Sequence, residues 1–187
     1  MHAGGPFSCH DHRMGMRNYL VEGGSGVGKT SVAEELEQRG YHVVHGDRVL
    51  AYHGDPQTGE PVDKNPFTTE AENIRWRYDR WIWPVERVRA LIADKAHPVT
   101  FFCGHSANTD QFVDLLDAVF VLTVDVATLD GRLSGRLDDE FGGKPIERDF
   151  VVHLHETRYA LPVDATLIDS TPPVAQVVDA ILSHCAE

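Results

Sequence analysis

Gly23-Gly24-Ser25-Gly26-Val27-Gly28-Lys29-Thr30 is the stretch whose reading decides the fold. It fits the spacing G-x-x-x-x-G-K-[ST], and the sequence on both sides suits it. Upstream, Asn18-Tyr19-Leu20-Val21-Glu22 is a short apolar run that reads as a buried strand. Downstream, Ser31 to Arg39 reads as a helix that ends at Gly40. Strand, glycine loop and helix N-terminus together make a phosphate site, because successive backbone N–H groups turn inward on an anion. A Cβ would hinder that turn. The frame assigns the cradle to Gly24, Ser25, Gly26, Val27, Gly28 and Ser31. Lys29 reaches the β- and γ-phosphates of a nucleotide, and the Thr30 hydroxyl is placed to ligate Mg²⁺.

At 187 residues the chain suits one domain with a sizeable core, and 42% hydrophobic with 25% charged residues is ordinary for a globular protein. A formal net charge of −12 argues against a nucleic-acid partner or an anionic membrane, since both repel such a surface. The cations are 13 Arg against 4 Lys, a balance that suits bidentate phosphate recognition and follows equally from genome base composition. Cys9, Cys103 and Cys185 are far apart and odd in number, which predicts neither a disulfide framework nor a zinc site and points to a reducing cytoplasm. No apolar run approaches the length of a membrane span. Residues 1–15 are His- and Gly-rich, and Met14 and Met16 are alternative starts. His2, His10, Asp11 and His12 invite a metal-site reading, but a leader with no core to hold ligands reads better. Residues 16–187 then form a single domain.

Along the chain, His42-Val43-Val44-His45 reads as a second strand that delivers Gly46-Asp47 at its carboxyl end, where ligands bind in open α/β sheets. Gly54 to Pro61, with Asn65-Pro66 beyond, reads as an irregular surface loop. Thr68 and Thr69 are candidate N-caps for a helix from about Glu70, with Glu72 as the capping-box partner if Thr69 caps. That helix is read through Ile74, Arg75, Trp76, Arg77, Tyr78, Arg80, Trp81 and Trp83, with Pro84 kinking it or starting a second helix to Ala96. Helical spacing then puts Arg77 with Arg80 on one face and Trp76 with Trp83 on another. Such a segment serves as an aromatic core stripe or as a wall for a planar or phosphorylated acceptor.

Val99 to Cys103 is a third strand, followed by Gly104-His105-Ser106-Ala107-Asn108 and a short helix from Asp110 to Leu116. Ala118 to Val124 is a strand apolar throughout, which fits burial on both faces. Asp125 reads as the cap of a helix from Val126 to Ser134, rather than as a catalytic acid. This helix carries Arg132 and leads to Arg136 and to a flap from Leu137 to Pro145. Ile146 to Leu161 is a helix, Ala165 to Ile168 a fifth strand, and Thr171-Pro172 opens the last helix. Alternation through five strands predicts a three-layer α/β/α fold around a parallel sheet.

Exclusions narrow the chemistry. No Asn-Lys-x-Asp guanine-reading motif is present, Leu133-Ser134-Gly135 lacks the rest of a transporter-ATPase signature, and no strand ends in the paired acids of a hydrolytic site. The sequence resembles the small-molecule P-loop kinases of shikimate, gluconate, nucleosides and nucleoside monophosphates. More narrowly, it is similar to bacterial ATP-binding proteins labelled as nucleoside kinases. The stretches that carry the likeness are Gly23 to Thr30, Gly104 to Phe112, Leu129 through Arg132 to Arg136, Phe141 to Pro145, and Ile168 to Pro172. The resemblance implies a P-loop NTPase fold with five parallel strands, acceptor-binding helices and a short arginine-bearing lid. It implies ATP with Mg²⁺ at Lys29 and Thr30, Arg132 and Arg136 on the transferring phosphoryl, and Thr171-Pro172 against adenine. Asp47 matches the acid that orients the acceptor hydroxyl, and Arg75, Trp76, Arg80, Gly104 and His105 fall in the acceptor region. One departure is Gly104-His105-Ser106, where shikimate kinases carry three glycines. The expected reaction is γ-phosphoryl transfer to a small hydroxyl-bearing acceptor, with a nucleoside first. A nucleoside monophosphate gripped by Arg75, Arg77 and Arg80 is the alternative, and a non-catalytic nucleotide-binding regulator is a third reading.

Overall fold

A computed structural model describes residues 16–185 apart from Ala160 and Val163, so the metal reading of His2 to His12 lies outside the described residues. Five strands, β1 (Arg17–Glu22), β2 (His42–His45), β5 (Val99–Cys103), β6 (Ala118–Thr123) and β7 (Thr166–Asp169), form one sheet in the order β2-β5-β1-β6-β7. Every pairing is parallel, with Tyr19 opposite Phe101, Val21 opposite Phe120 and Leu122 opposite Ile168. β1 is central, so the loop that follows it emerges mid-sheet among the carboxyl ends of its neighbours.

Period-2 alternation splits the core in two. Tyr19, Val21, Phe101, Cys103, Phe120 and Leu122 face α1 (Lys29–Gln38), α5 (Val126–Ser134), α6 (Pro145–Thr157) and α7 (Val174–Cys185). Leu20, Phe102, Val119 and Val121 face the opposite layer, where α4 (Val85–Ala93) contributes Val88, and Trp83 and Phe112 stack with ring centroids 5.8 Å apart. The expected three-layer α/β/α fold is thus present. Asp125 caps α5 by accepting from the Thr128 N–H at 2.8 Å. Thr69 caps α3 (Glu70–Asp79) by accepting from the Glu72 N–H, worth about 1 kcal/mol. The Glu72 carboxylate takes the Thr69 hydroxyl rather than its backbone N–H, so only the cap half of the expected capping box is formed.

Four expectations are corrected. The helix from Glu70 stops at Asp79, because Trp81–Ile82 leave it to form β4, antiparallel to β3 (Tyr52–His53). Trp76 and Trp83 therefore share no helix face: Trp83 is fully buried beyond the strand, and Pro84 starts α4. The segment after Gly54 is less irregular than expected, since Gly54 bridges Pro61 and Asp55 Oδ1 accepts from the Gln57 and Thr58 N–H groups. In place of a helix from Asp110 stand two single 3₁₀ turns, Thr109–Gln111 and Val113–Leu115.

Candidate active site

The loop from Gly23 leads directly into α1, whose N-cap Gly28 takes a left-handed backbone with φ of 106°. Among the described residues no side chain caps this helix and no acid stands in its first turn, so its opening amides and dipole are available to an anion. Lys29 Nζ donates to the carbonyls of Gly23 at 2.7 Å and Gly24 at 3.0 Å, folded over its own loop. Burial holds its ammonium below the usual lysine range, and the carboxylates of Asp47 and Glu22 oppose that shift.

A cavity of about 450 Å³ lies along this cradle, lined by Ser25 through Val32 and by Asp47, Arg132, Arg136, Ser170 and Pro172. Val174 and Val177 of α7 supply its apolar side. Thr30 and Ser31 are exposed on it, so the donor set fits a nucleotide phosphate chain with a hydroxyl for a hard cation. Arg132 is bolted in place: it donates to the Val27 carbonyl at 3.2 Å and the Ser170 carbonyl at 2.8 Å, joining the loop to the β7–α7 turn. Arg136 lies over the cradle and donates to Ser25 Oγ at 2.6 Å and to the Phe141 carbonyl. The expected flap is pinned as well, since Gly142 N–H donates at 3.0 Å to the buried Glu147 carboxylate. Thr171 stands outside the cavity lining, and its N–H is taken by Asp169 Oδ1 at 2.9 Å.

A second cavity, of about 260 Å³, adjoins the first. Lys29, Ser25 and Asp47 line both, and Gly23, His53, Arg77, Tyr78, Trp81, His105 and Phe141 complete the second. Asp47 stands between them in the short helix α2 (Gly46–Val49). Its Oδ1 accepts from Trp81 Nε1 at 3.2 Å and from the His105 backbone N–H at 3.0 Å. Among the described residues, both of these donors go to one oxygen, which leaves Oδ2 for a ligand. Trp83 sets the floor beneath. A Cβ on Gly46 would lie 2.0 Å from its ring, and one on Gly104 would lie 2.7 Å from the ring and 3.0 Å from Asp47 Oδ1. Gly104 thus serves by letting Asp47 approach.

Of the other expected acceptor residues, His105 borders the second cavity, whereas Arg75, Trp76 and Arg80 do not. Arg75 pairs with Asp79 and Arg80 with Asp55, each at 2.9 Å. Trp76 stacks on His53 with centroids 5.8 Å apart, behind the wall. The residues facing inward are their neighbours Arg77 and Tyr78, in the last turn of α3, and Trp81, which lies in β4 because the helix ends at Asp79. Sequence reasoning missed His53, Val174 and Val177, for which only the topology gives a signal, and it singled out Phe141 as part of a likeness without placing it at the site. It also missed Glu22, the last residue of β1, which is fully buried and accepts from His105 Nδ1 at 2.9 Å. Its signal was in view: an acid closing an otherwise apolar strand.

No family model and no curated protein matches the chain. Solved structures do. A shikimate kinase from Bacteroides thetaiotaomicron is similar with a TM-score of 0.57 at 14% identity, over 92% of this chain and 100% of that one. A sugar kinase from Janibacter sp. gives 0.54 at 19% identity, over 90% and 94%. A deoxyadenosine kinase from M. mycoides, solved with bound dATP, gives 0.50 at 17% identity, over 91% and 100%. Loop, sheet order and these likenesses agree: the chain has the α/β fold of the P-loop small-molecule kinases.

Proposed function

We propose that this protein is an ATP-dependent kinase that phosphorylates a hydroxyl of a small acceptor, and that the acceptor is a nucleoside. One observation carries the reading: the phosphate cradle and an aromatic-lined cavity share Lys29 and Asp47, so a γ-phosphoryl group and a hydroxyl meet at one boundary. Phosphoryl transfer asks a protein for position and charge neutralisation more than for covalent chemistry. Lys29 and the α1 amides would hold the phosphates, with Arg136 placed beside them over Ser25. Mg²⁺ held at the Thr30 hydroxyl would neutralise charge on the phosphate chain. Asp47, fixed through Oδ1, would orient the acceptor hydroxyl through Oδ2 and take its proton. Phe141, drawn over the loop through its carbonyl bond to Ser25 at 3.3 Å, would keep water from the boundary.

Tyr78, Trp81 and His53 favour a planar ring, and this is the support for a nucleoside over a sugar. A nucleoside monophosphate is the second reading, because Arg77 faces the same cavity while its neighbours are held in ion pairs. The test is a panel of nucleosides, nucleoside monophosphates and sugars, read for acceptor-dependent ADP release together with a phosphorylated product. A nucleoside product supports the reading, and a sugar product moves the acceptor. ADP without any phosphorylated acceptor, or tight ATP binding with no turnover, identifies a hydrolase or a regulator instead.

A further inference from the structure

Behind the boundary residue Asp47 lies a pair that the proposed mechanism does not use. Glu22 is fully buried and His105 is 7% exposed. His105 Nδ1 donates to Glu22 Oε1 at 2.9 Å, while Glu22 Oε2 and His105 Nε2 are buried with no hydrogen-bond partner among the described residues. Tyr78 lies flat on the imidazole, centroids 4.4 Å apart and planes 16° off parallel. A buried, half-satisfied polar pair costs stability, and an apolar pair of similar shape would serve the core better. Its position suggests what it serves. Glu22 closes β1 immediately before the phosphate loop, and the Gly104 N–H beside His105 donates to the Val21 carbonyl at 3.1 Å. The backbone N–H of that same His105 holds Asp47 Oδ1.

We infer that Glu22 is a positioning residue for Asp47: by anchoring the His105 side chain it fixes the His105 N–H, and so which oxygen of Asp47 faces the acceptor. This rests on the kinase reading for its rate consequence but not for its geometry. Glu22 itself lines neither cavity, so it acts only through its neighbours. The rival route runs through Lys29, whose ammonium Glu22 also favours electrostatically. The two routes differ in what they change: loss through Asp47 appears in acceptor turnover, and loss through Lys29 appears in ATP affinity.

The experiment is a double-mutant cycle on the full chain. Glu22→Ala should lower turnover ~10–100-fold, the scale of a slightly misplaced reacting group, with ATP affinity unchanged. Glu22→Gln keeps an acceptor oxygen for Nδ1 and should recover most of the loss. In an Asp47→Asn background Glu22→Ala should cost less than about two-fold, because the group it positions is already disabled. A full additional loss there, or a loss confined to ATP affinity, overturns the inference. A second readout needs no turnover: the Trp81 indole N–H, assigned by its disappearance in Trp81→Phe, shares Asp47 Oδ1 and should exchange with solvent ~10-fold faster in Glu22→Ala. Unchanged exchange also overturns the inference, and this arm decides it even if no acceptor is ever turned over. Should Glu22→Ala not fold, His105→Ala severs the same link, keeps the backbone N–H, and must give the same pattern.

Discussion

Lys29 and Asp47 are the two charged side chains that see both cavities, and each is held in a way that makes a distinct prediction. Among the described residues Lys29 bonds only backbone carbonyls of its own loop, so removing it leaves no buried carboxylate stranded by a lost hydrogen bond. Lys29→Ala should fold normally, weaken ATP binding and lower turnover by ~10²-fold or more, as loss of a preorganised cation does. Calorimetric titration with ATP beside a turnover assay checks both halves. Asp47 accepts two hydrogen bonds through Oδ1, and an Asn carbonyl oxygen can accept the same two. Asp47→Asn should therefore keep its stability and its ATP affinity while turnover falls ~10²–10⁴-fold, the usual contribution of a general base. Full turnover with the true acceptor would displace Asp47 from the boundary role. Arg136→Ala should lower turnover by ~10²-fold. Its guanidinium also holds the Phe141 carbonyl, so a modest loss of thermal stability accompanies that change.

At the scale of elements, Trp83 explains why the chain after β2 and the chain after β5 both begin with glycine. Its ring occupies the space a Cβ would need at Gly46 and at Gly104. Gly46→Ala overpacks this contact, which costs ~1–3 kcal/mol and lowers Tm by about 2–12 °C for a chain of this length. It also displaces Asp47, so turnover should fall more than the stability loss explains. Gly131 is the control: it lies within α5, exposed, with open space where its Cβ would be. Gly131→Ala should stabilise by about 0.5–1 kcal/mol with turnover unchanged. The same elements show what the sequence made legible. The phosphate loop, the five strands and the caps at Thr69 and Asp125 follow from local spacing, and local spacing is sufficient for them. The end of α3 does not. Asp79-Arg80-Trp81 carries no breaker residue, and the helix yields there because Gly54 N–H bonds the Arg80 carbonyl at 2.9 Å and Ala107 N–H bonds that of Trp81 at 2.8 Å. Those partners come from 26 residues away on each side of the break, so no local spacing announces it.

For the whole molecule, the cradle joins parts of the chain that are distant in sequence. Arg132 from α5 ties the loop at Val27 to Ser170 after β7, and the Ser170 hydroxyl donates to the same Val27 carbonyl at 2.6 Å. Arg136 and Phe141 tie the far side of the same loop to the segment before α6. An occupant of the cradle therefore binds a surface that exists only when α1, α5 and α7 are all packed on the sheet. A ligand that binds the folded state alone stabilises it by mass action, about 2.7 kcal/mol at a hundred times its Kd. For a chain of this length that is a rise in Tm of about 5–10 °C. ATP with Mg²⁺ should produce this rise in thermal denaturation without any acceptor present. Lys29→Ala should lose most of it, and Asp47→Asn should keep it, because the role proposed for Asp47 is on the acceptor hydroxyl. An Asp47→Asn protein that no longer responds to ATP would place this carboxylate on the nucleotide rather than on the acceptor.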